Sequence, residues 1–284
     1  MLDHGNKSHR ITMDQITNFA EALYMGEYGK GTIENYVRNI KALYTWCGGH
    51  LDRDGVIAWK AHLIRSNAPA TVNAVLAGIN CFFRFQRGID CVVKPLRLQR
   101  HSFSAPEREL SREEYTRLVR AAQKSGNERL ALLMETICVT GIRVGEVGYI
   151  TAEAAIDGRT EISMKGKVRT ILIPQKLCRK LLHYARTQGV TSGALFLTRT
   201  NRSLSRTQIW AEMKKLCSAA NVRKSKVFPH NLRHLFAKTY YRLYRDVVKL
   251  ADILGHSSIN TTRIYLLSDG TEHIRQLERM NLLC

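Results

Sequence analysis

The chain has 284 residues, 44% hydrophobic and 24% charged, which excludes a disordered or fibrous protein and allows one large core or two ordinary ones. Its 44 lysines and arginines against 24 acids give a net charge of +20, most of it beyond residue 100. A polyanionic partner is the leading explanation, with a merely solubilising charge as the alternative.

The N-terminus, MLDHGNKSHR, has no apolar signal region, and no later run approaches a membrane span, so a soluble intracellular protein is expected. A helix is predicted over Thr12–Met25, with Ile16, Phe19, Ala20 and Leu23 on one face. Gly29-Lys-Gly-Thr32 then breaks the pattern. Thr32 is the expected N-cap of a second helix carrying Ile33, Tyr36, Ile40, Leu43 and Tyr44. A third helix falls near Asp54–Arg65. Pro69 and Thr71 open a fourth, striped by Val72, Val75, Leu76, Ile79, Phe82 and Phe83. Four amphipathic helices without a strand signal predict a small helical domain over residues 1–94. Residues 95–109, with two prolines and several basic residues, read as a linker.

A second domain is expected over residues 110–284. Ser111 and Glu114 form a capping box, and Gly141 ends a helix over Asn127–Val139. A short helix is expected around Arg143–Val147. Residues 161–174, EISMKGKVRTILIP, alternate around a Lys-Gly-Lys turn and predict a β-hairpin. Helices follow over Lys176–Thr187, Arg206–Ala220, His230–Tyr244, Val247–Leu254, Ser258–Leu266 and Glu272–Asn281. The fold class is thus mainly α with a small antiparallel sheet. The seven cysteines lack metal-ligand spacing and read as small buried hydrophobes.

Four signals carry chemistry, each with a bland alternative. Arg143, just after Gly141 at a helix start, suits an anion, or else pairs with Glu146 on the same face. Lys165 at the hairpin tip could reach a leaving oxygen or be a solvated turn lysine, and Lys167 could take the same role. His230 and Arg233 lie one helical turn apart and could hold a phosphate from one side. Neighbouring His234 competes for that role, and a metal site lacks a carboxylate or cysteine to complete it. His256, after a glycine, could serve as a helix-terminus cap, and Tyr265 could be a core tyrosine.

In combination, Arg143, Lys165, the His230-x-x-Arg233 pair, the segment Leu254-Gly-His256-Ser-Ser-Ile-Asn-Thr-Thr-Arg-Ile-Tyr265 and their order resemble the tyrosine recombinase, or phage integrase, family. The resemblance spans nearly the whole chain. It implies a helical core-binding domain followed by an α+β catalytic domain of the simple two-domain, Xer-like size, because only residues 1–11 precede the first predicted helix. It also implies a DNA-associated protein in the cytoplasm of a prokaryotic cell.

What the resemblance implies for mechanism makes physical sense. Tyr265 attacks a backbone phosphate to give a 3′-phosphotyrosine and a free 5′-hydroxyl. Arg143 and Arg233 each offer bidentate hydrogen bonds to the charge that builds on the phosphate. His230 and His256 bind the same oxygens or handle the tyrosine proton, and Lys165 protonates the leaving oxygen. No cofactor, ATP or metal is expected, because the bond energy is conserved in the protein–DNA link and the arginines supply the positive field. The expected partner is double-stranded DNA carrying a recombination site, bound by a homotetramer that forms a Holliday junction. Off DNA the protein is expected as a monomer or weak oligomer. Candidate phosphate contacts are Lys30, Arg38 and Lys41 in the first domain and Arg199, Arg202, Arg206 and Lys214 in the second, with exposed solubilising charges as the alternative. The last helix, with Ile274, Leu277, Met280 and Leu282 as an apolar edge, would dock on a neighbouring protomer or in cis. The expected role is integration or excision of a mobile element. The alternatives are a chromosome-dimer-resolving recombinase, a type IB topoisomerase and a non-catalytic DNA-binding protein.

Overall fold

The computed structural model describes residues 9–97, 106–164, 167–198, 200–263, 265 and 270–281. The chain divides into two compact units, Met1–Arg100 and His101–Cys284.

The first unit packs α1 (Met13–Met25), α2 (Lys30–Cys47), α3 (Arg53–Ser66) and α4 (Pro69–Phe85) around one apolar core. Thr12 starts α1 through a reciprocal capping box with Gln15. Pro69 occupies the first turn of α4, where its missing N–H leaves no helix bond unmade. The helical stripes supply the core, including Ile16, Phe19, Ile40, Leu43, Val72, Leu76, Ile79, Phe82 and Phe83. Two expectations are corrected. Gly29, not Thr32, caps α2, and Thr32 instead donates its N–H to the Gly29 carbonyl inside the first turn. The unit also carries a two-residue antiparallel ladder, β1 (His9–Arg10) with β2 (His50–Leu51), too short for any periodicity to signal it.

The second unit holds a larger core. It runs through α5 (Arg112–Lys124), α6 (Glu128–Thr140), a 3-10 helix (Val144–Tyr149), α7 (Ala152–Asp157), β3 (Arg159–Met164), β4 (Lys167–Leu172), α8 (Gln175–Thr187), α9 (Arg206–Lys215), α10 (Pro229–Tyr244), α11 (Val247–Leu254), α12 (Ile259–Arg263) and α13 (Gly270–Arg279). The capping box of Ser111 and Glu114 starts α5, and Gly141 ends α6 at a φ of 67° that disfavours any residue with a Cβ. The hairpin pairs antiparallel from Arg159–Leu172 to Met164–Lys167, with Ile162 and Ile171 facing the core. The helix after Leu204 ends at Lys215, not Ala220. Among the described residues the α-helix before Tyr265 covers Ile259–Arg263, a single short turn rich in β-branched residues. Helix α7, framed by Thr151 and Gly158, adds an element the sequence reading passed over. Among the described residues no helix is long and apolar enough to cross a membrane.

Candidate active site

Helix α10 carries both His230 and Arg233. Pro229 fixes its entry, and the two side chains sit one turn apart. Arg233 is only 1% exposed. Its Nη1 donates to the Gly141 carbonyl at 2.5 Å, and its Nη2 donates to the Leu254 carbonyl and to His256 Nε2, both at 2.8 Å. The family resemblance implies bidentate hydrogen bonds from Arg233 to a phosphate. In the structure two terminal N–H groups of Arg233 are committed to the carbonyls of Gly141 and Leu254, at the C-terminal ends of α6 and α11 where helix dipoles favour a cation, and a third to His256. Burial, then the neighbouring Arg143 charge, brings the Arg233 pKa down to about 10, which leaves it charged at neutral pH.

Arg143 is the outward-facing cation, with 44% of its side chain exposed. It caps the 3-10 helix. Its backbone N–H donates to Glu146 Oε2 at 2.7 Å and its Nη1 to Oε1 at 3.0 Å, while Nη2 reaches the Gly255 carbonyl at 3.4 Å. The ion-pair alternative is therefore real, but it does not compete with a site role. Glu146 is a buried carboxylate that aims Arg143 while leaving much of its guanidinium open. Burial alone would raise the Glu146 pKa, but the Arg143 N–H, the Arg169 charge and the Arg143 side chain outweigh it and hold the carboxyl below its usual range.

His256 follows Gly255, which takes a left-handed φ of 63° so that the chain can turn off α11. Because guanidinium groups only donate, His256 Nε2 must accept from Arg233. The ring proton then lies on Nδ1 and is donated to Thr262 Oγ1 at 2.8 Å. Burial, then Arg233, Arg143 and Arg169, pushes the His256 pKa down to about 4. His256 is a neutral ring of fixed tautomer.

Tyr265 lies just past α12 and is 6% exposed. Its hydroxyl is 3.2 Å from His230 Nε2, and its ring stacks on His256 with centroids 5.6 Å apart and planes 8° apart. His234 touches the same ring at 5.2 Å. Its pKa falls to about 4, through burial first. Tyr265 packs with Ala237, Leu250 and Leu254 in a small apolar cluster. The core-tyrosine alternative is thus half right, since the ring is core and the hydroxyl belongs to the polar site. His230 is likewise pushed below the ordinary histidine range, by burial and then by Arg233 and Arg143, so its Nε2 can accept the tyrosine proton.

The structure thus brings together Arg143, His230, Arg233, His256 and Tyr265. Lys165 lies outside the described residues, and Lys167 opens β4. Three partners escaped the sequence reading: Glu146 as an orienting group, Thr262, and Arg169. For Arg169 the signal was present, because it shares strand parity with the buried Ile171 and Ile173, an inward position where a cation needs a reason. Among the candidate phosphate contacts, Lys30, Arg38 and Lys41 are exposed on α2, and Arg202 and Arg206 are exposed in the second unit. The Arg206 guanidinium lies against Gly145, beside the Arg143 turn. Lys214 is engaged elsewhere, bonded to the Lys224 carbonyl and set 5.5 Å over the Trp210 ring. Arg199 lies outside the described residues. Among the described residues, the one cluster of metal-ligand type, His9, Asp90 and Cys91, is in the first unit and involves none of these histidines.

Comparison with known proteins covers most of the chain. Residues 108–272 match the phage integrase family. The chain is 29% identical over 286 residues to the tyrosine recombinase XerA of Pyrococcus furiosus, covering 96% of each chain. It is 32% identical over 172 residues to the tyrosine recombinase XerH of Campylobacter jejuni, covering 57% of this chain and 48% of that protein. Among solved structures, a lambda integrase dimer bound to a COC' core site superposes with a TM-score of 0.72 at 19% identity, covering 90% of this chain and 77% of that one. A XerA recombinase crystal structure superposes with a TM-score of 0.52 at 20% identity, covering 95% and 99%.

Proposed function

The chain belongs to the phage integrase family and is a site-specific DNA recombinase of the tyrosine type, and from that premise we propose that Tyr265 is its nucleophile, served by Arg143, Lys165, His230, Arg233 and His256. The observation that carries this reading is the Tyr265 hydroxyl held at 3.2 Å from a neutral-tending His230, within a ring of arginines.

In the proposed reaction the Tyr265 oxygen forms a bond to phosphorus as its proton passes to His230 Nε2. The bond from phosphorus to the 5′-oxygen breaks, and Lys165 gives that oxygen its proton. The outward guanidinium of Arg143 meets the phosphate directly. Arg233 supports it from beneath as a fixed positive charge in a dry setting, where such a charge acts strongly. His256, locked between Arg233 and Thr262, keeps the fork of Arg233 in place. Attack by a second strand's 5′-hydroxyl reverses the steps and exchanges strands.

The proposed partner is double-stranded DNA, held by a core-binding unit over residues 1–94 and a catalytic unit over residues 110–284. Lys30, Arg38, Lys41, Arg202 and Arg206 would lie on phosphates. A tetramer on paired sites is proposed, with α13 docking on a neighbouring protomer. Its Ile274 and Leu277, with Met280 just after it, are 55%, 65% and 57% exposed, which supports a partner for that face. The proposed setting is integration or excision of a mobile element. Relaxation of any supercoiled plasmid without strand exchange would point to a topoisomerase instead. A suicide substrate nicked beside the cleavage site tests the chemistry: wild type should trap a covalent adduct, and Tyr265→Phe should bind the DNA without trapping it.

A further inference from the structure

The last carbonyls of α11 and its terminal turn gather three arginines. Arg233 donates to the Leu254 carbonyl, and Arg143 reaches that of Gly255. Arg169 of β4 donates to the carbonyls of both Ile253 and Leu254 through Nη1 and to Glu146 Oε2 through Nη2. A side chain at Gly255 would run into the Arg169 guanidinium, so the turn before His256 rests directly on it. Leu254 O is therefore shared by Arg169 and Arg233, and the Glu146 carboxylate by Arg169 and Arg143. One side chain joins the group that aims Arg143, the carbonyl that anchors Arg233 and the turn that carries His256.

The structure assigns Arg169 as a positioning residue for strand cleavage, a role that rests on the proposed recombinase site: its two-armed fork fixes the Glu146–Arg143 pair and the α11 terminus in one register. The same residue lies four positions from Lys165 and two from Lys167 in the chain, so the hairpin that bears the candidate acid is tied to the phosphate-binding groups through it.

Three features argue against simple packing. Arg169 has only 13% of its side chain exposed, and its Nε is buried without a partner, an arrangement an apolar residue of similar volume would avoid at lower cost. The Arg169 pKa is lowered, first by burial, with the Glu146 charge opposing and the smaller Arg143 repulsion adding to the effect, so the fork keeps its place at a desolvation cost. Finally, Glu146 is the carboxylate shared between Arg143 and Arg169, which leaves the cluster short of negative charge that a phosphate would supply.

The test compares Arg169→Ala and Arg169→Lys with wild type in single-turnover cleavage of the suicide substrate, in DNA binding, and in the NMR titration of the His256 ring. The Ala variant should cleave about a hundredfold more slowly, the loss typical of a misplaced reacting geometry, with DNA affinity within about threefold. Its His256 midpoint should rise, since a positive neighbour is gone. The Lys variant keeps the charge but not the fork, so its midpoint should stay near wild type while its cleavage remains slow. Wild-type cleavage in either variant overturns the assignment, as does a rate loss matched by an equal loss of binding. If Ala does not fold, the Lys variant alone decides by the same criteria. Absence of any adduct in wild type would overturn the recombinase-site reading beneath it, whereas equal adducts in wild type and variants overturn only the role of Arg169.

Discussion

The hydroxyl of Tyr265 lies 3.2 Å from Nε2 of His230, although the two residues are 35 apart in sequence. In the proposed reaction this contact pairs the nucleophile with its base, whose protonation burial and two arginines oppose. Without that opposition, part of the His230 population would be charged at neutral pH, and that part could not accept the proton.

The first prediction concerns pH. A base must be unprotonated, and the folded-state pKa of His230 is lowered from 6.5. Single-turnover cleavage should therefore be flat through neutrality and fall only below pH 6.5, as His230 takes up a proton. His230→Gln should lower the plateau about 10²- to 10⁴-fold, the range for general acid–base groups. A rate profile with its acid limb above pH 6.5 would remove His230 from this role.

Glu146 predicts a stability effect. It is 3% exposed and carries two arginines. Glu146→Ala removes the counter-charge of the buried Arg169 guanidinium, a loss of about 3–5 kcal/mol measured by urea unfolding. The sign with pH follows from the lowered carboxyl. Its contribution is fully present above the ordinary value of 4.5 and is lost as pH falls through the lower folded-state value. The stability gap between wild type and variant should thus be constant at pH 6–8 and narrow in acid.

The two hairpin lysines are separable by leaving-group chemistry. A substrate whose bridging 5′-oxygen is replaced by sulfur departs as a thiolate and needs no acid, since thiols have a pKa of about 8.5. Lys165→Ala should be slow on the normal substrate and restored on the sulfur substrate, while Lys167→Ala should be close to wild type on both. The reverse pattern would assign the acid to Lys167.

Much of the fold was legible because it is written in local rules. The capping box of Ser111 and Glu114, Gly141 as a helix stop and Pro229 as a helix start need only neighbours within one turn. The apolar stripes of α1, α2 and α4 follow from burial on one face. What was not legible depends on distant partners. A two-residue ladder has no period to read. Thr32 lost the cap to Gly29 because an extended glycine backbone at that point let the helix start earlier. The order of Arg143, His230, Arg233, His256 and Tyr265 picked out side chains that the structure brings together. It could not show that the N–H groups of Arg233 would be largely occupied, nor that Glu146 would be shared with an arginine from a strand.

The central claim is tested most directly by finding the covalent link itself. The adduct trapped on a suicide substrate can be digested with nuclease and protease and mapped by mass spectrometry. The residual nucleotide should sit on the peptide containing Tyr265, joined through its hydroxyl to a 3′-phosphate. A nucleotide on any other residue, or a 5′-phosphate linkage, would contradict the account.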